Sequence, residues 1–235
     1  MVKHMGVSRS RGLGLVELKV VENNVEDVKH VLFDENKIGD NNHLTYTIKL
    51  KSPVICKSPA GNQAVTEDYI AGSKVLGMIA GSMDRETYQS VMNDVVVSNA
   101  YIAYDGNRCL PGRNSLQKVK NQKYVNGTMN IRDMIYFVPG GDGVQWTPAN
   151  ISYISDNNVV LSVETEISYH HQRPEDKSLG HVTDKDGEFY QLASISEGQV
   201  FKGDIYASRK ATELIVNIIS KLNQVRIGYA KNSEF

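Results

Sequence analysis

Three groups of residues in this chain have types and spacing suited to chemistry. They are glycines set beside serine or arginine, a concentration of cations in mid-chain, and a late group of histidines. The stretch 64–81, AVTEDYIAGSKVLGMIAG, predicts an extended lead-in, a sharp turn at Gly72-Ser73 and a helix opening on Lys74. A helix start offers unpaired N–H donors and a partial positive charge, which suits a phosphate. The same residues also predict a buried helix capped by the Ser73 hydroxyl, with nothing bound.

Residues 6–14, GVSRSRGLG, form a second glycine–cation loop, and the first 12 residues hold Lys3, Arg9 and Arg11 without an acid. Backbone N–H groups and guanidinium groups there could cradle a phosphodiester. A bare terminal loop is the competing reading. Between 101 and 132 the cations are Arg108, Arg113, Lys118, Lys120, Lys123 and Arg132, against Asp105 alone, with Tyr104 and Tyr124 flanking the loop expected there. Cations interleaved with aromatics suit a single-stranded nucleic acid, and a solvated loop face is the alternative. The run HHQRPEDKSLGH carries His170, His171 and His181. Adjacent histidines on a strand face opposite sides and no zinc spacing is present, so no metal is expected. One histidine could serve acid–base work on RNA; a surface loop with hydrogen-bonding histidines and Arg173 competes with that reading.

A formal net charge of −1 excludes a uniformly basic nucleic-acid binder, so any such contact must come from local patches. With 40% hydrophobic and 23% charged residues, a chain of 235 residues has ample core for one large domain or two small ones. Cys56 and Cys109 lack metal-ligand spacing and make no disulfide framework, which fits a reducing cytosol. No run approaches the apolar length of a membrane span, and none near the start has signal-peptide character. The expectation is a cytoplasmic protein with no membrane, metal or cofactor.

Several elements must position these groups. Val16, Leu18 and Val20 alternate with Glu17 and Lys19, as in a half-buried strand. Residues 22–43 read as an acidic linker with one short helix at most, and Leu44–Leu50 as a strand. Val95–Tyr104 reads as one buried strand interrupted by Asn99, and 105–130 as a long basic loop. Ile131–Val138 reads as a strand, and Trp146 as a packing anchor in a turn-rich segment. Ile151–Ile154 and Val159–Tyr169 make a hairpin over Asp156-Asn157-Asn158. Phe189–Tyr206 reads as a strand pair broken at Ser196-Glu197-Gly198, followed by a helix over Arg209–Asn223 with Ser208 as cap.

Taken together, LTYTIKLKSP (44–53), TEDYIAGSKVLG (66–77), VSNA (97–100), HHQRPEDKSLG (170–180), GQVFKGDI (198–205) and VRIGYAKNSEF (225–235) resemble the RAMP superfamily of CRISPR-associated proteins. The likeness is to the Gly-rich RAMP subunits of type III-D effector complexes, with Ala71 where that family has proline and Leu76 at its basic position. GVSRSRGLGLVEL (6–18) looks like the loop and last strand of a preceding module. The resemblance implies an α+β, ferredoxin-like (RRM-like) domain with an antiparallel sheet, two main helices and a long basic loop insertion. It implies a division into residues 1–21, a linker 22–43, and a domain 44–235 lacking its final strand, in a segment of a longer protein. It further implies a CRISPR RNA-binding structural subunit held among other effector subunits. The RNA contacts would come from Arg9, Arg11, Gly12, Gly72, Ser73, Lys74, Arg113, Lys118, Lys120, Arg173, Arg226, Gly228 and Lys231. The alternative is a metal-independent ribonuclease that processes CRISPR RNA with His170 or His171.

Overall fold

The computed structural model describes residues 15–22, 41–57, 65–122, 130–136, 143–171, 189–221 and 225–228. The fold is α+β, with strands that pair antiparallel throughout the described ladders. Strand β1 (Leu15–Glu22) leads to β2 (Asn41–Leu50), then to helices α1 (Gly72–Ala80) and α2 (Arg85–Val91). Short strands follow: β3 (Val95–Val97), β4 (Tyr101–Tyr104), β5 (Asn107–Arg108), β6 (Leu110–Pro111), β7 (Leu116–Val119), β8 (Ile131–Asp133) and β9 (Trp146–Pro148). The chain continues through β10 (Tyr153–Ile154), β11 (Val160–Leu161), β12 (Thr165–His171), β13 (Phe189–Ile195), β14 (Val200–Ser208), α3 (Arg209–Lys221) and β15 (Val225–Arg226).

One seven-stranded sheet dominates, in the order β15-β1-β2-β14-β4-β5, with β3 also on β14. Its centre is the β2–β14 ladder, which runs in unbroken register from Lys49↔Val200 to Asn41↔Ser208. Side chains alternate across a strand, so this register decides which residues share a face. Leu44, Tyr46, Ile48 and Leu50 of β2 face the same way as Phe201, Ile205 and Ala207 of β14, and all are buried. Onto them pack Val75, Met78 and Ile79 of α1 and Ala211, Ile215 and Ile219 of α3. The α3 face holds because those apolar residues recur at helical spacing. Ser208 Oγ accepts the Ala211 N–H at 3.4 Å, and Arg209 at the helix start pairs with Glu213. β1 joins the sheet beside β2 over seven residues, from Val16↔Leu50 to Glu22↔Leu44.

Several expected elements are redrawn. Val95–Tyr104 is two strands, because past the Ser98 N–H the chain leaves the ladder, and the Ser98 carbonyl and Asn99 serve other partners. Residues 105–122 are not one long loop: turns there alternate with the short strands β5, β6 and β7, the last being the middle of a separate sheet β8-β7-β9. The strand at Ile131 stops at Asp133 and turns, and Trp146 lies in β9 rather than a turn. The hairpin over Asp156–Asn158 forms between β10 and β11, with Asn158 at φ 58°, but the second strand breaks after Leu161. β12 then pairs with β13 instead. β13 and β14 are therefore not partners of each other; β14 belongs to the main sheet. The helix expected within 22–43 lies outside the described residues, apart from β2 starting at Asn41.

Two glycines of α1 give opposite expectations. A Cβ on Gly72 would sit 2.6 Å from the Ser98 carbonyl oxygen and closer still to Val97 O, and backbone cannot move aside. Gly77 is exposed with nothing near its missing Cβ. Gly72→Ala should cost about 2 kcal/mol in denaturant unfolding, as overpacking does. Gly77→Ala should raise stability by up to about 1 kcal/mol. Equal effects would show that α1 does not press on β3 as described.

Candidate nucleic-acid interface

The start of α1 is a packing joint. The N-cap is Ala71, without a side-chain cap, and Ser73 is an exposed residue inside the first turn. The expected Ser73 cap is thus corrected: Asn99 does that work, its Oδ1 accepting the Gly72 N–H at 2.9 Å. Asn99, the polar break in an apolar strand, is there to take this donor, so Gly72 N–H is not available to a phosphate. Lys74 is half-buried on the Cys56 side. Burial pushes the Cys56 thiol up to about 11, while the Lys74 ammonium pulls it down and Glu67 raises it. Native Cys56 should therefore alkylate slowly until pH approaches about 11, and the denatured chain from about 9. Rapid native alkylation at neutral pH would show the thiol to be exposed.

The mid-chain cations are brought together by the three-stranded sheet. β7 is its centre, with Lys118 opposite Ile131 on one side and Thr147 on the other. By alternation Lys118 shares a face with Leu116 and with Asp133, and Lys120 follows the end of β7, its N–H donating to the Gln145 carbonyl at 2.8 Å. Arg113 reaches that face through its 3.2 Å ion pair with Asp133, whose Oδ1 also accepts the Ile135 N–H. Lys120 Nζ donates to Gln145 Oε1 at 3.0 Å and is exposed. The other face carries Arg132 and Trp146, the guanidinium 4.7 Å from the ring centroid. That contact is a cation–π pair that leaves Arg132 exposed. Beyond β8, Tyr136 is 83% exposed. Three expected RNA-contacting cations, Arg113, Lys118 and Lys120, thus lie together.

The remaining expected positions fall elsewhere. Arg226 is in β15, opposite Leu15 at the edge of the main sheet, and Gly228 follows with φ 125°, a conformation glycine takes freely. Arg9, Arg11, Gly12, Arg173 and Lys231 lie outside the described residues. His170 and His171 occupy successive positions of β12, opposite Tyr190 and Phe189, and so belong to opposite faces of that ribbon. Among the described residues, no three His, Cys, Asp or Glu side chains group as metal ligands, and no helix is long and apolar enough to cross a membrane.

Sequence reasoning missed a charged cluster on the open face of the main sheet. Asp204 of β14, with its side chain 12% exposed, forms a short ion pair with Arg108 of β5. It also accepts from Thr45 Oγ1 at 3.3 Å and meets His43 Nε2 at 3.0 Å. A carboxylate accepts only, so Nε2 carries the proton. His43 stacks on Tyr206, centroids 4.8 Å apart and planes 9° from parallel. The signal for this cluster was the alternation itself, since His43 and Thr45 share one parity and Asp204 and Tyr206 another that the ladder brings together. Compared with protein-family models and with curated proteins, the chain matches none.

Removing the carboxylate would leave Arg108 and His43 facing a low-dielectric gap. Asp204→Ala should cost about 3 kcal/mol in denaturant unfolding, the scale of a broken, mostly buried pair. A loss below about 1 kcal/mol would place the cluster among solvent-screened surface pairs.

Proposed function

We propose that this chain is an RNA-binding structural subunit, of the kind that holds CRISPR RNA within a type III effector ribonucleoprotein. The observation that carries the reading is the gathering of Arg113, Lys118 and Lys120 along and beside β7 of the β8-β7-β9 sheet, with Arg132 and Trp146 on the face opposite Lys118. Cations neutralise phosphates and indole can stack on bases, and the three-stranded sheet holds both. The topology supports the resemblance set out above. β2, α1, β4, β14 and α3 follow in a split β-α-β order with both helices on one face, as in ferredoxin-like domains. β1 lies between β2 and β15, the strand that follows α3.

The net charge of −1 sets the cations of the small sheet apart as a local patch. The partners in this reading are CRISPR RNA and neighbouring protein subunits in the cytoplasm.

Fluorescence anisotropy of a short labelled RNA at about 50 and 200 mM salt tests the reading. Affinity should fall steeply with salt. Lys118→Glu with Lys120→Glu should weaken binding about ten-fold or more at the lower salt and reduce the log–log slope by about 1.4, two phosphates' worth for a single strand. An affinity indifferent to salt would end the proposal.

A further inference from the structure

The face of the main sheet turned away from α1 and α3 carries its own pattern. Across β3, β14 and β2, Val96, Tyr206 and His43 form one transverse row, Tyr206 opposite both of the others. Val96 is 62% exposed and Tyr206 37%, although the apolar core lies on the opposite side. The two rings stand parallel and in contact, so one ring plane is already backed by another. Asp204 fixes the histidine through Nε2 and holds Arg108 beside it, making Asp204 a positioning residue for both.

The charges on this face are unequal. Two acids on its strands are engaged, Asp204 by Arg108 and His43, and Glu17 by Lys51 at 3.0 Å. Exposed Lys49 and half-buried Lys202 lie further along the same strands, with Lys202 on the parity of Tyr206 and about 13 Å from it by strand rise. A flat, partly solvated ring pair beside a line of cations matches an anionic chain that carries planar groups. A peptide partner would be met by either feature alone; a single-stranded nucleic acid uses both.

We propose that the His43–Tyr206 pair is a stacking platform for one unpaired base of a single-stranded RNA, whose phosphates pass over Lys202 and Lys49. The inference rests on the RNA-binding reading, but it concerns a surface separate from the β8-β7-β9 sheet. The base contributes its π-face and no hydrogen-bond readout, so the platform tolerates any base.

The full chain is titrated with two probes, a short oligouridylate and an abasic oligomer with the same number of phosphates. Tyr206→Ala should weaken the oligouridylate about ten-fold, the size of one base–aromatic stack, and leave the abasic probe as it was. Tyr206→Phe should bind both like the parent. Lys118→Glu with Lys120→Glu should weaken both probes. If the parent binds RNA and Tyr206→Ala loses nothing, the platform is overturned while the RNA reading stands; if the parent binds neither probe, both fall. Photocrosslinking of parent protein to thiouridine-bearing RNA needs no variant to fold. Crosslinks to the peptide of β14 are expected, and crosslinks confined to β7–β9 would overturn the platform.

Discussion

The break in the chain at Ser98-Asn99 ties three elements together, and the rest of the architecture depends on it. Ser98 O accepts the Tyr46 hydroxyl at 2.6 Å, fixing the largest fully buried side chain of β2. Ser98 also exchanges two bonds with Asp204, its N–H donating to the Asp204 carbonyl and its Oγ accepting the Asp204 N–H. Asn99 then takes the first N–H of α1. The Ser98 N–H stays paired with β14, while the Ser98 carbonyl and the Asn99 side chain turn to Tyr46 and to the start of α1. Buried polar groups left unmade cost more than made ones contribute, so two residues out of register stabilise the fold.

Two glycines let that joint close. The Tyr46 ring occupies the space where a Cβ on Gly203 would be, with ring carbons within 2.8 Å of it. Gly72 lets α1 settle onto the backbone of β3 in the same way. Both are demands of packing. From the one-dimensional pattern, Gly72-Ser73 before a helix is indistinguishable from a phosphate-binding start, because the glycine requirement is the same. What decides between them is the acceptor on Asn99, twenty-seven residues away in sequence.

Long-period regularities were therefore legible, while of the pairings only the hairpin between β10 and β11 was. Leu44–Leu50 alternates over its length and α3 keeps one apolar stripe, so both elements were readable to within a few residues. Between 105 and 136 the strands are two to four residues long, too short for a period to emerge from composition, and the region reads as loop. Its cations were visible all the same, since their concentration does not depend on secondary structure. Their gathering along and beside β7 was not visible, because it follows from Lys118 lying opposite Ile131 and Thr147, which is a fact of register. The His43–Asp204–Arg108 cluster stayed hidden for the same reason: its members are 161 and 96 residues apart.

The electrostatic bookkeeping then separates two kinds of cation. Arg108 and Arg113 each face a carboxylate that is nearly out of solvent, and these pairs orient side chains more than they supply net charge. Lys120, Arg132 and Lys49 are exposed and meet amide, indole or open surface. A polyanion gains by releasing its condensed counterions to solution in exchange for exposed cations of this second kind, and gains less from cations already neutralised. The paired arginines matter to such a ligand in another way. Asp204 holds Arg108 and the His43 ring where they are before anything arrives, so an incoming strand would meet a surface whose ordering entropy was lost during folding and not on binding. A chain of near-zero net charge can in this way bind a polyanion locally without the self-repulsion that uniform basicity imposes on the folded state.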